Sequence, residues 1–273
     1  MLRIFKLLII LIILCGCEKQ NLVNDKQLER SSDLLGLSHN YCTGKNVKIA
    51  IIDDYLPLKK RSDVLNYFDI SKMKAGTVSH GIIMLEILRG IAPNVKIDFY
   101  SVGNNKSEIE RKFFLKALEK VAKSDVAILN LSLNFDSKIN EAELLLKNAN
   151  KNGIIIINSS GNDGLKRAKF PSGLPEVISV SSVDKDGFFD ENSNYGEQIM
   201  FSLPNKTEWS GNLEGTSISA IQLTGIVARL IEQYGIYEKN EMVKMLIQLS
   251  GKKIKSQLYG YGIPRLSKSS RDC

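Results

Sequence analysis

Asp53, His80 and Ser217 carry a carboxylate, an imidazole and a hydroxyl, the groups that together can cleave an acyl bond. A serine hydroxyl is a weak nucleophile until a base takes its proton, and imidazole is the common base near neutral pH. A carboxylate behind the imidazole fixes its tautomer and stabilises the imidazolium that forms. Each residue also has a plainer use. Ser217 lies in Gly215-Thr216-Ser217, ahead of a long apolar helical pattern, where serine often caps a helix. The same place would set a nucleophile among free backbone N–H groups that can receive negative charge. Asp53 could be a turn residue and His80 a cap. The order Asp, His, Ser, each at a strand end or a helix start, favours the chemical reading.

Those placements depend on the surrounding pattern. Val47-Lys48-Ile49-Ala50-Ile51-Ile52 is a β-rich apolar run, as expected of a buried parallel strand, and it ends at Asp53. Further strands are expected over 95–102, 126–133, 154–158 and Val177–Val183. Helices are expected over 25–37, 80–88, 107–122, 141–151, Thr216–Tyr234 and 240–249. Arg89-Gly90 and Asn152-Gly153 read as helix stops. Phe113, Phe114, Leu118 and Val121 can share one helix face, and Gly225 falls inside the longest helix. Strands alternating with helices imply right-handed parallel crossovers. The fold expected is a three-layer α/β/α sandwich with a mainly parallel central sheet, over 46–273. In such sheets ligands sit beyond the strand C-terminal ends, which directs attention to Asp53, Asn134, Gly161-Asn162 and the loop before Ser217.

Several segments, in this order, resemble the subtilisin-like (subtilase) serine peptidase family over residues 46–266. They are the strand ending at Asp53, His80-Gly81, Ile91-Ala92-Pro93-Asn94-Val95, Asn130-Leu131-Ser132-Leu133 and Ser160-Gly161-Asn162-Asp163-Gly164. Phe170-Pro171 with Pro175-Glu176-Val177-Ile178-Ser179-Val180, Ser193-Asn194-Tyr195-Gly196 and Gly215-Thr216-Ser217 complete the set. The resemblance implies an Asp53-His80-Ser217 triad with Asn162 as oxyanion donor. It also implies a peptide-binding strand at Ser132, Leu133 and Asn134, with Gly161 and Asp163 beside it. The substrate would be a peptide or protein, and the chemistry would need no cofactor.

The sequence also departs from that family. Asp54 and Tyr55 stand where Thr and Gly are usual, and Asp54 remains an alternative to Asp53 as the triad carboxylate. Ile82, Ile83 and Met84 replace a small polar residue and a histidine, and Ile221 replaces a proline. Asn134 stands where Gly is usual and would narrow or polarise the main specificity pocket. Asp163 could favour a basic residue before the cleaved bond. Family members often bind calcium in loops, but Asp184, Asp186 and Asp190 match no ligand-loop spacing.

The chain has 273 residues, enough for one large domain with a sizeable core. A net charge of +7 comes from scattered lysines rather than a basic patch with aromatics, so nucleic-acid binding is not expected. Arg3 and Lys6 precede a Leu/Ile run over 7–14, too short for a spanning helix and suited to a secretion signal. Leu14-Cys15-Gly16-Cys17 resembles a bacterial lipobox, which implies cleavage after residue 16, lipidation of Cys17 and an extracytoplasmic, membrane-anchored protein. Residues 17–45 would form a tether and first helix, leaving no room for a separate folding domain before Asp53. Of the other cysteines, Cys42 and Cys273 could pair outside the cytoplasm, though their separation is no evidence for it. Two histidines leave no material for a His-rich metal site. Nothing calls for a second copy, so a monomer is expected. The competing function is a catalytically impaired lipoprotein that uses the same fold to bind peptides.

Overall fold

The computed structural model describes residues 31–72, 79–103, 109–267 and Cys273. Its centre is a seven-stranded sheet. In chain order the strands are β1 (Lys48–Asp53), β2 (Asn66–Asp69), β3 (Lys96–Ser101), β4 (Ile128–Leu131), β5 (Ile155–Ser159), β6 (Val177–Val183) and β7 (Phe201–Pro204). Their spatial order is β2-β3-β1-β4-β5-β6-β7, and every pairing is parallel. The helices are α1 (Ser31–Leu34), α2 (His80–Ile91), α3 (Arg111–Val121), α4 (Asn140–Lys151), α5 (Thr216–Tyr234) and α6 (Lys239–Ser250).

The strand pleat divides the core in two. Along β1, Ile49 and Ile51 enter the core shared with α2, α5 and α6, while Ala50 and Ile52 enter the one shared with α3 and α4. All four are fully buried, which explains the unbroken apolar run. The expected three-layer sandwich is therefore present, with α5 lying across β4 to β7. Gly225 lets α5 approach α2 closely, since a Cβ there would come within 2.5 Å of Ile91. Thr224 Oγ1 donates to Asn130 Oδ1 at 2.9 Å, pinning α5 to β4. Arg229, buried in the same helix, donates to the carbonyls of Ile91 and Asn40 at 2.6 and 2.7 Å.

Several boundaries differ from the pattern-based expectation. Both edge strands, β2 and β7, were not expected. Asn66-Tyr67-Phe68-Asp69 lacks an apolar run because its residues are only partly covered, and β7 is four residues ending in proline. Helix α2 does not stop at Arg89-Gly90 but runs to Ile91. Gly90 is there for packing: a Cβ would meet the Trp209 ring at 2.4 Å. Termination falls to the Ala92-Pro93 step instead, because a residue before proline avoids the helical region. The first helix covers only Ser31–Leu34 among the described residues and breaks at Gly36, whose φ is 71°. Helix α3 begins at Arg111, and Ser107 falls outside the described residues.

Cys42 and Cys273 form a disulfide with a Cα–Cα distance of 5.0 Å, inside the usual range. Among the described residues no helix is long and apolar enough to cross a membrane.

Candidate active site

Strand β1 is central in the sheet, and its last residue, Asp53, is 4% exposed. Helix α2 starts opposite this strand end. Its N-cap Ser79 accepts from Ile82 N at 3.1 Å and donates to the Tyr55 carbonyl at 2.7 Å, fixing where the helix begins. The first helical residue is His80. Its Nδ1 lies 2.8 and 2.9 Å from the two oxygens of Asp53. With Asp53 ionised, Nδ1 carries the proton and Nε2 is left as the acceptor. Burial of the ring works against the charged form. The charge and hydrogen bond of Asp53, with the charge of Asp54, outweigh it, so the His80 pKa is held above its ordinary value.

Asp54 takes a different place. Its carboxylate accepts from the backbone N–H of Tyr55, His80 and Gly81 at 2.6, 3.0 and 2.8 Å. It does not touch the imidazole through a hydrogen bond; Asp53 does.

Helix α5 presents Ser217 in its first turn. The N-cap is Gly215, with φ 129°, a conformation that suits glycine. Ser217 is therefore not the cap. Its hydroxyl donates to the Ser132 carbonyl at 3.3 Å, just past the end of β4. No hydrogen bond between Ser217 and His80 is formed among the described residues. Serine–histidine contacts often tighten only when substrate is bound.

Asn162, after β5, is drawn to the same helix end. Its Oδ1 accepts from Thr216 N at 2.9 Å and from Thr216 Oγ1 at 2.8 Å. With the acceptor occupied, the carboxamide offers its Nδ2 donors near the start of α5. Gly161 has φ 107°, and a Cβ there would meet Asn194 Nδ2 at 2.5 Å. Buried Asn194 grips this loop: Oδ1 accepts from Asp163 N and Leu165 N, each at 3.0 Å, and Nδ2 donates to the Ser160 carbonyl at 3.1 Å.

The remaining candidates follow β4. Ser132 is half-buried and Leu133 is buried. Asn134 does not project freely: its Nδ2 donates to Ser159 Oγ at 3.0 Å and its Oδ1 accepts from Asn158 Nδ2 at 3.4 Å. Asp163 is already paired, with Lys169 Nζ 2.8 Å from one oxygen; the same lysine meets Asp136 at 2.9 Å. That shared cation offsets the negative charge that would attract a basic substrate residue. Asn194, Thr216 and Lys169 were not singled out from the sequence. Asn194 and Thr216 lay within segments that resemble the family, and Lys169 carried no local signal.

In the acidic loop after β6 the carboxylates make turn and side-chain contacts. Asp184 Oδ1 accepts from the backbone of Asp186 and Phe188, Asp186 pairs with Lys185, and Asp190 accepts from Asn192 N, Ser182 Oγ and Asn205 Nδ2. Met84 and Ile221, two of the unusual residues, are fully buried and serve the core. Cys17 lies outside the described residues.

A family model described as the Subtilase family matches residues 72–262. A thermostable alkaline protease of Halalkalibacterium halodurans is 25% identical over 204 residues, covering 72% of this chain and 56% of that protein. The epidermin leader peptide-processing serine protease EpiP of Staphylococcus epidermidis is 24% identical over 252 residues, covering 67% of this chain and 54% of that protein. The chain thus spans little more than half the length of these two relatives. A crystal structure of a lanthipeptide protease superposes with a TM-score of 0.70 at 22% identity, covering 87% of this chain and 93% of that one.

Proposed function

The chain belongs to the subtilase family, and on that premise we propose that it is a serine endopeptidase working through Asp53, His80 and Ser217. The observation that carries this reading is the Asp53–His80 pair at 2.8 Å, which leaves Nε2 of His80 as the base. Ser217 Oγ attacks the scissile carbonyl carbon while His80 Nε2 takes its proton. Negative charge collects on the carbonyl oxygen, where Asn162 Nδ2 and the Ser217 backbone N–H donate to it. His80 returns the proton to the leaving amine as the C–N bond breaks, leaving an ester on Ser217. Water, deprotonated by His80, then releases the acid and restores the serine.

A fluorophosphonate probe tests the reading directly, because it reacts with an activated serine. The 18–273 protein is expected to label. A folded protein that does not label would overturn the peptidase reading and favour a peptide-binding role. Asn162→Ala is expected to lower kcat by about 10²–10³ with KM little changed, a magnitude measured in subtilisin, a member of the same family. Steady-state kinetics on a peptide reporter would check it.

The finer reading is a monomer held by lipid at Cys17 outside the cytoplasm, processing a secreted peptide precursor. The short Leu/Ile run and Leu14-Cys15-Gly16-Cys17 support the anchor. The similarity to a protease named for leader-peptide processing supports the substrate class. In cells fed a tagged palmitate analogue, the protein is expected to take up label and Cys17→Ala to take up none. Equal labelling of the two would sink the anchor.

A further inference from the structure

We propose that Asp54 is a second, positioning carboxylate of this site: it fixes the backbone of His80 at the start of α2 and sets another negative charge beside the imidazole. This rests on His80 being the general base. The geometry is specific. One oxygen of Asp54 accepts from Tyr55 N and Gly81 N, and the other accepts from His80 N itself. The His80 and Gly81 N–H groups belong to the positive end of α2, where a carboxylate is favoured, and the Tyr55 N–H comes from the turn after β1.

The surroundings are shaped to admit that carboxylate. Gly81 has no side chain, and a Cβ there would come within 3.0 Å of Asp54 Oδ1 and 2.6 Å of the Phe99 ring. Gly103 is equally confined, since its Cβ would meet Asp54 Cα at 2.8 Å. Ser101 Oγ and Gly103 N both donate to the Asp54 carbonyl, at 2.8 and 2.9 Å, holding its backbone from the β3 side. Asp54 is 2% exposed.

The three backbone N–H groups favour the Asp54 carboxylate, but its burial opposes them more strongly. Burial, and then the charge of Asp53, push the Asp54 carboxyl up to about 6. Its ionisation therefore costs the fold stability as the pH rises from about 4 through about 6. Folding alone would favour a neutral group here. Among the described residues, the charges acting on His80 are Asp53 and Asp54, and the charge acting on Asp54 is Asp53. The facing end of β3 contributes only hydroxyl and backbone groups. No described cation offsets the pair, so both carboxylates favour the imidazolium.

The chain's two histidines make the test direct. Imidazole titrations followed by NMR give one curve for His80 and one for His39, told apart with His39→Gln. In Asp54→Asn and Asp54→Thr the His80 midpoint is expected to fall by about one unit, the lower end for a neighbouring charge, while His39 stays put. The acid limb of kcat/KM against pH should move down with it. An unchanged His80 midpoint in both folded variants overturns the proposal. So does a failure of both variants to fold, since Asp54 would then be a structural cap alone. A shifted midpoint in a protein with no peptidase activity would keep this assignment and remove the catalytic reading instead.

Discussion

With Ser217 replaced by Ala, peptide turnover is expected to fall by about 10⁶-fold, the loss measured for the equivalent change in subtilisin, a member of the same family. The size follows from the loss of the only atom that can form the ester. What survives is binding and oxyanion stabilisation, worth roughly 10³–10⁴ over water. The fold should not notice. Among the described residues Ser217 Oγ makes one hydrogen bond, to the Ser132 carbonyl at 3.3 Å, and α5 is capped by Gly215 and Asn162 rather than by this hydroxyl. Thermal unfolding of Ser217→Ala should therefore match the parent, and fluorophosphonate labelling should vanish. Retained turnover in a pure Ser217→Ala preparation would remove Ser217 from the mechanism.

Asp53→Asn should lower kcat by about 10⁴-fold. An amide can offer its N–H to the ring and so trap His80 in the tautomer whose Nε2 carries the proton. It also removes the first of the charges that hold the His80 pKa up. The acid limb should then move to lower pH while the plateau collapses. Asp54 cannot substitute, because its oxygens are committed to Tyr55, His80 and Gly81 N–H groups. The two adjacent carboxylates thus give opposite patterns: Asp53→Asn loses rate at every pH, whereas Asp54→Asn mainly shifts the profile. A 10⁴-fold loss in Asp54→Asn with a mild Asp53→Asn would exchange their roles. Kinetics from pH 5 to 9 on both variants would decide it.

The sandwich was readable because its central strands are buried on both faces, and that condition writes itself as runs such as Ile49–Ile52 and Ile154–Ile157. The edge strands were unreadable for other reasons: the half-covered residues of β2 need not be apolar, and β7, though buried, is four residues broken by Ser202 and closed by Pro204. Gly90 misled because glycine marks both helix ends and close contacts, and only the Trp209 ring tells them apart. At the site, the strand-end Asp53 and helix-start His80 could be paired from the pattern. The grip of Asn194 on the Gly161-Asn162 loop could not, because it joins residues about thirty positions apart through buried hydrogen bonds. The neutralisation of Asp163 by Lys169, six positions on, was hidden because charge compensation is a property of space, not of spacing.

The Cys42–Cys273 bond makes a covalent ring that holds all seven strands and every residue of the candidate site. A protease is exposed to cutting by its own kind, at surface loops above all. One cut anywhere between the two cysteines would turn the ring into a linear chain without releasing either piece. The halves would remain at a fixed effective concentration, ready to re-form the sheet, and a second cut would be needed before any segment could leave.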